Sequence, residues 1–113
     1  MSVVGTSLHK LDGNPYYSPS FPRGGLAGTF CADVTHYLGL TDFTITIEHR
    51  DETDTSFATL VVLNAFTSAT NAQVDISGIK QIVRFKYELN GGAATDGDGV
   101  HFVMQAPSWR PYA

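Results

Sequence analysis

Two short acidic clusters are the residues of this chain whose type and spacing most resemble a metal site. One is the run from Asp96 to Gly99, and the other contains Asp51, Glu52 and Asp54. Clustered carboxylates suit calcium, and the two clusters would form a weak site if their loops met at one end of a sheet. An EF-hand also needs a glutamate six residues after its glycine, where Gln105 stands. Solvent-exposed turns are the favoured interpretation, so we expect no metal and no cofactor.

The histidines and the cysteine form no pattern typical of catalysis. His9, His36, His49 and His101 are scattered, and none has the paired spacing of a zinc site. Cys31 is the single cysteine, which excludes an intrachain disulfide, and its alternating surroundings predict a buried structural thiol. A Ser-His-Asp triad needs no closeness in sequence and stays open. The chain has neither a Gly-x-Ser-x-Gly elbow nor a Walker loop, so we expect a protein that is not an enzyme.

Aromatic residues and arginines near both ends of the chain are of the types enriched in protein-binding hot spots. Trp109 offers a large apolar surface and Arg110 a planar donor group, while Pro107 and Pro111 keep the backbone extended. The alternative place for Trp109 is the core of its own domain. The residues that we predict for an interface are Tyr16, Tyr17, Phe21, Arg23, Trp109, Arg110 and Tyr112.

The elements that must position these residues are β-strands. Apolar residues recur at every second position, or in short runs, in six segments: 29–35, 43–50, 56–66, 72–77, 83–89 and 100–105. The segment 56–66 is nearly all apolar, which is typical of a central strand covered on both faces. Strands about ten residues apart predict an all-β fold, a single antiparallel β-sandwich or jelly-roll-like domain. The strand order is not readable from this pattern.

Composition divides the chain into three parts. Residues 1–28 contain three prolines and a Gly-Gly pair, which predict an extended N-terminal arm. Its apolar residues indicate that its later part lies on the domain or on a neighbouring subunit. The β-sandwich domain is expected at 29–105 and an aromatic C-terminal tail at 106–113. The polar segments 49–57 and 90–99 are interpreted as hairpin loops.

The overall composition narrows the classes of partner. The 113 residues fit one domain, and only 16% of them are charged, below the usual quarter or so. Neutral polar surfaces lose water cheaply and suit protein contacts. A net charge of -4 and scattered basic residues argue against binding nucleic acid. We expect no membrane partner and synthesis in the cytoplasm, since neither a membrane-spanning run nor a secretory signal is visible.

The chain resembles small virion proteins of tailed bacteriophages in three segments: "SPSFPRGGLAGTF", "ITIEHRDETDTSFATL" and "IKQIVRFKYELNGG…VHFVMQAPSWRPY". In that family a compact β domain carries extended arms that hold neighbouring subunits. The resemblance implies a non-enzymatic capsid decoration (cement) protein, made in the host cytoplasm and located in the virion. Its implied partners are the major capsid protein, other virion proteins and further copies of itself in a homo-oligomer.

Two alternatives remain beside this interpretation. The same resemblance is compatible with a component of the phage neck or tail. A small carbohydrate-binding or adhesion β-sandwich module would also carry exposed aromatic residues, here Tyr16, Tyr17, Trp109 or Tyr112. That class usually accompanies a secretion signal or a catalytic domain, and neither is visible in this sequence.

Overall fold

The computed structural model describes residues 4–9, 15–93 and 96–111. Within these ranges the regular structure consists of ten β-strands. They are β1 (Val4–His9), β2 (Tyr16–Tyr17), β3 (Phe21–Pro22), β4 (Ala27–Leu38), β5 (Asp42–Arg50), β6 (Ala58–Phe66), β7 (Asn71–Ser77), β8 (Ile82–Asn90), β9 (Gly99–Met104) and β10 (Ser108–Arg110). All six segments with strand periodicity are strands, which confirms the predicted all-β fold.

The strands form two antiparallel sheets that pack face to face. In sheet I, β4 lies between β7 on one side and β9 with β10 on the other, and β1 flanks β9. In sheet II, the order is β2 and β3, then β8, β5 and β6. β10 continues the line of β9, because Gln105 between them still donates its N–H to the carbonyl of Cys31 on β4.

The strand order is that of a jelly roll. Strands from the first half of the chain pair with partners from the second half in nested order. These pairs are β1 with β9, β2–β3 with β8, β4 with β7, and β5 with β6. If β2–β3 and β9–β10 each count as one interrupted strand, the domain has the eight strands of this architecture.

The core lies between the sheets and consists of the side chains that alternate inward along each strand. On β8 the inward residues Val83, Phe85, Tyr87 and Leu89 are buried, as the alternation predicted. Aromatic rings from both sheets meet at the centre, where the Tyr87 and Phe102 ring centroids lie 4.9 Å apart. The most deeply buried phenylalanines are Phe30, Phe43, Phe66, Phe85 and Phe102.

β6 differs from its predicted position. The apolar segment 56–66 was expected to form a central strand, but β6 pairs only with β5 and forms an edge of sheet II. Its register with β5 shifts twice, which is the mark of β-bulges. The bulges turn Leu60, Val61 and Leu63 all toward the core, whereas Val62 stays 49% exposed. The segment 56–66 is apolar because the bulges turn successive side chains of β6 toward the core, and not because other elements cover both faces of the strand.

The described residues near both ends of the chain belong to the sandwich. The segment 1–28, predicted as an arm, supplies β1 to sheet I, β2 and β3 to sheet II, and the start of β4. The segment 106–113, predicted as a tail, supplies β10. The boundary at 28 was predicted because this segment is rich in proline. Proline lacks a backbone donor, which restricts β2 and β3 to two-residue ladders at an edge of the sheet.

One end of the sandwich is closed by two connections that cross between the sheets. The turn after β4 leads to β5, and residues 91–98 lead from β8 to β9, so this second loop is not the hairpin that the sequence predicted. The two connections meet where Asp98, only 7% exposed, lies against Gly39. The Asp98 Oδ2 accepts a hydrogen bond of 2.7 Å from the N–H of Ala93. Asp98 is therefore a structural residue of this end and not part of a solvated loop tip.

Candidate binding surface

The outer face of sheet II carries an arginine held between two aromatic rings. The guanidinium carbon of Arg84 lies 4.1 Å from the ring centroid of Tyr17 and 4.1 Å from that of Phe57. Arg84 points outward because it alternates with the buried residues of β8, and Tyr17 is brought beside it by the pairing of β2 with β8. The guanidinium carbon of Arg50 also lies over Phe57, 5.2 Å from its ring centroid. We call these four side chains the arginine stack.

An ion pair fixes the orientation of Arg84. Its Nε donates to Oε1 of Glu48 on the neighbouring strand β5 at 2.8 Å. The Glu48 side chain is only 10% exposed and that of Arg84 26%. A carboxylate so far removed from water depends on its partner, because an unpaired charge in that place is costly. The arginine stack therefore presents a guanidinium whose position is already set before any partner binds.

We expect Arg84→Ala to lower the free energy of unfolding by about 2 kcal/mol, since Glu48 loses its partner and two cation–π contacts disappear. Lys86→Ala is the matched control, because Lys86 lies on the same strand and face. Its pair with Glu88 is 3.8 Å long and more exposed, and such pairs contribute below about 1 kcal/mol. Urea denaturation followed by circular dichroism measures both changes. Equal losses in the two variants would contradict the role given to Glu48.

A cleft of about 560 Å³ opens beside the arginine stack, between β1 of sheet I and β2–β3 of sheet II. Its walls are Leu8 and Met104 on the side of sheet I, and Tyr16, Phe21 and Tyr87 on the side of sheet II. Tyr16 points into the sandwich and Tyr17 outward, because successive residues of a strand face opposite sides. The cleft and the arginine stack thus share β2 as their common border.

Trp109 and Arg110 are bound to their own domain. Trp109 packs edge-on against Phe30, with ring centroids 5.6 Å apart, and lies over the backbone of Gly24 and Gly28. Arg110 donates a hydrogen bond of 3.1 Å to the Thr29 hydroxyl. The core alternative considered for Trp109 is therefore the arrangement found, and the residue is partly buried.

The predicted interface residues fall into two groups. Tyr16, Tyr17 and Phe21 lie together at the cleft. The second group binds its own domain. Arg23 donates a hydrogen bond to the carbonyl of Ile79, and Arg110 donates one to the Thr29 hydroxyl. Tyr112 lies outside the described residues, so its part of the prediction is not addressed.

Arg84 and Phe57 were missed by sequence reasoning. The alternation on β8 did place Arg84 on the outer face, but nothing in the sequence paired β8 with β2 or brought the loop residue Phe57 over it. A search for an outward arginine flanked by aromatic segments is the only signal that could have pointed to the site.

The two acidic clusters lie at opposite ends of the sandwich, which rules out the shared calcium site considered from the sequence. β5 pairs with β8 so that Asp42 faces Asn90 and Arg50 faces Ile82. The loop with Asp51 follows Arg50, whereas the loop with Asp98 follows Asn90, about 27 Å away along β5. In the described ranges no group of three or more His, Cys, Asp or Glu side chains is placed to hold a metal ion.

Two other reactive residue types lie on the outer face of sheet I. The Ser7 hydroxyl and Nδ1 of His101 are 2.8 Å apart at an exposed position, and His36 pairs with His101 across the strands. A catalytic Ser-His-Asp triad also needs a third group that orients the imidazole.

Cys31 was predicted to be buried but is only partly buried, because it points outward between the inward residues Phe30 and Ala32. Burial and the nearby Asp33 carboxylate raise the pKa of the Cys31 thiol, which keeps it protonated.

His49 is a buried histidine at the end of β5, only 9% exposed. Its Nδ1 accepts a hydrogen bond of 3.1 Å from the backbone N–H of Lys80, so this nitrogen is unprotonated. Burial, together with the Lys80 ammonium, lowers the pKa of His49, although Asp51 and Asp54 act in the opposite direction. The imidazole is therefore a neutral structural acceptor.

The lowered pKa of His49 predicts a loss of stability in weak acid. Below the ordinary histidine pKa of about 6.5 the unfolded chain binds a proton that the folded chain resists, so stability falls as the pH falls. The slope reaches at most about 1.4 kcal/mol per pH unit. We expect His49→Gln to reduce this slope between pH 7 and 5. Urea denaturation at several pH values tests this, and a slope unaffected by His49→Gln would refute it.

Comparison with protein-family models, with curated proteins and with solved structures gives no match to this chain. In the part of the chain that the structure describes, no helix is long and apolar enough to cross a membrane.

Proposed function

We propose that the protein is a non-enzymatic virion structural protein, a capsid decoration (cement) protein that binds the major capsid protein lattice and its own copies. The observation that carries the binding role is the arginine stack. Arginine and tyrosine are among the residues that contribute most at protein interfaces, and here both are held in place before contact. A preorganised side chain loses less conformational entropy on binding than a free one.

The virion part of the proposal rests on the resemblance of three sequence segments to small phage virion proteins. The jelly roll agrees with it, since this architecture is common among capsid proteins. Lectins and other proteins share the architecture, so the fold supports the proposal without assigning a function. The proposal places the protein in the virion after synthesis in the host cytoplasm. A position in the neck or tail would use the same surface.

Sedimentation tests the proposal most directly. A native lysate of the source organism is separated on a density gradient, and the protein is quantified in each fraction by mass spectrometry. We expect it in fractions of megadalton particles, at high copy number beside a major shell protein. Recovery only at the top of the gradient, as a free small protein, would refute the virion assignment.

A point variant tests the surface on isolated particles. We expect Tyr17→Ala to weaken rebinding to stripped particles at least about tenfold, because half-exposed Tyr17 covers Arg84 at the proposed interface. Val62→Ala is the control, since Val62 is equally exposed on the edge strand β6, on the far side of sheet II. If both variants rebind like the wild type, the arginine stack is not the contact surface.

A further inference from the structure

We propose that the cleft between β1 and β2–β3 binds a proline-rich, extended segment of a partner protein. The inference rests on the proposed function only in that the occupant is a protein. It names the chemistry of the segment, which the virion assignment does not provide.

The described lining of the cleft is uncharged. Among residues 4–9, 15–93 and 96–111, none of those that line the cleft is Asp, Glu, Lys, Arg or His. A charged ligand group would lose its hydration there without gaining an ion pair, which is costly. The described walls therefore favour an occupant that is neutral along the length that enters the cleft.

Aromatic residues form much of the walls. Tyr16 and Phe21 are partly buried there, and the core residues Phe85 and Tyr87 lie behind them. Grooves lined by aromatic side chains are the sites at which polyproline II segments dock, because flat pyrrolidine rings pack on flat aromatic rings. Such a segment is extended before it binds, so it loses little conformational entropy.

The walls of the cleft also offer hydrogen-bond donors. A polyproline II backbone has no internal hydrogen bonds, and its prolines offer carbonyl acceptors without N–H donors. It therefore needs a wall that donates, and hydroxyl groups can do so. Thr6 and Ser20 place hydroxyl groups along the cleft beside the tyrosines. Ser18 is already committed, because its hydroxyl accepts the N–H of Phe85 at 2.8 Å and donates to the carbonyl of Pro19.

The length of the cleft also fits. Its wall on sheet II runs from Tyr16, opposite Tyr87, to Phe21, opposite Val83, and these partners lie four residues apart on β8, about 13 Å. At about 3.1 Å per residue, a polyproline II segment of about four residues spans this distance. The volume of about 560 Å³ lies in the range of roughly 300–1,000 Å³ found for small-molecule sites.

The test is a titration of the ¹⁵N-labelled full chain with an acetylated decaproline peptide, followed by two-dimensional NMR. A Gly-Ser peptide of equal length is the matched control. We expect saturable shifts with decaproline alone, with a dissociation constant on the order of 1 mM or below. The shifts should centre on residues of the cleft such as Leu8, Ser20 and Met104. Absence of shifts, or shifts centred elsewhere, would overturn the proposal.

Two variants sharpen the result. Ser20 lies exposed at the mouth of the cleft, so Ser20→Trp should fold normally, fill the cleft and weaken decaproline binding at least about tenfold. Phe57→Ala removes a ring from the arginine stack and none from the cleft, so it should bind decaproline like the wild type. If Phe57→Ala weakens binding and Ser20→Trp does not, the peptide binds the outer face and the proposal fails.

A neutral sugar provides the remaining comparison. If cellotriose shifts the residues of the cleft and decaproline does not, the cleft is a carbohydrate site and the peptide proposal is overturned. The result of the decaproline titration can be interpreted independently of the sedimentation result that tests the virion proposal. Decaproline binding by a protein absent from particles would keep the cleft assignment and refute the virion assignment, and the reverse pattern would do the opposite.

Discussion

Replacing Gly39 with alanine is expected to lower the free energy of unfolding by about 2–4 kcal/mol. Gly39 has a φ of +76°, a conformation that costs an alanine about 1 kcal/mol or more. The added Cβ would also lie 2.6 Å from Oδ2 of Asp98 and closer still to Oδ1. The buried carboxylate must then move and lose its hydrogen bond with Ala93, at a further cost of about 1–3 kcal/mol.

Gly78→Ala separates the two causes. Gly78 has nearly the same φ, +70°, but no atom lies within 4 Å of the position that its Cβ would take. We expect this control to lose only about 1 kcal/mol, the cost of the backbone conformation. Urea denaturation of both variants measures the difference. Equal losses for Gly39→Ala and Gly78→Ala would show that Asp98 does not hold the two crossing connections together.

A double-mutant cycle makes the test specific for Asp98. Asp98→Ala alone removes the carboxylate that joins the two connections, and it should destabilise the fold. In that background the clash at Gly39 no longer exists, so Gly39→Ala should add only about 1 kcal/mol. An unchanged cost of Gly39→Ala in the double variant would assign the effect to another contact.

The second large effect concerns Trp109. We expect Trp109→Ala to cost about 3 kcal/mol, because the indole packs on Phe30 and covers Gly24 and Gly28. Arg110→Ala is the control at the neighbouring position. It removes one hydrogen bond to Thr29 at the surface and should cost below about 1 kcal/mol.

The result for Trp109 also decides what a truncation means. Urea denaturation by circular dichroism gives the free energy for both variants. A large loss for Trp109→Ala means that a chain shortened at residue 105 is destabilised before any partner is considered. If instead Trp109→Ala is as stable as the wild type, the indole is free for a neighbouring subunit, as predicted from its residue type.

The fold was predictable because the alternation of apolar and polar residues along a strand is a local signal in the sequence. Alternation of apolar residues reports which side chains face the core, and Phe85 and Tyr87 on β8 follow it without exception. The position of β6 was not predictable, because bulges alter the alternation and depend on the neighbouring strand. The burial of Asp98 was missed for a related reason, since a carboxylate in a glycine-rich loop is exposed unless another loop covers it.

The candidate site was less accessible from sequence than the fold. Residue type singled out Tyr16, Tyr17 and Phe21, which the structure places together at the cleft. It could not identify the arginine stack, because Tyr17, Phe57 and Arg84 come from three distant segments. Their contact follows from strand order, which one sequence does not contain.

The nested strand pairing has a consequence for how the chain can be made. Val4 pairs with Met104, so β1 has no partner until residues 99–104 have left the ribosome. The β5–β6 hairpin is the most local pair and can form early, while the outer pairs close long loops and come last. Synthesis therefore leaves the tyrosine-rich N-terminal segment exposed to solvent and to chaperones until the C-terminal strands emerge to cover it.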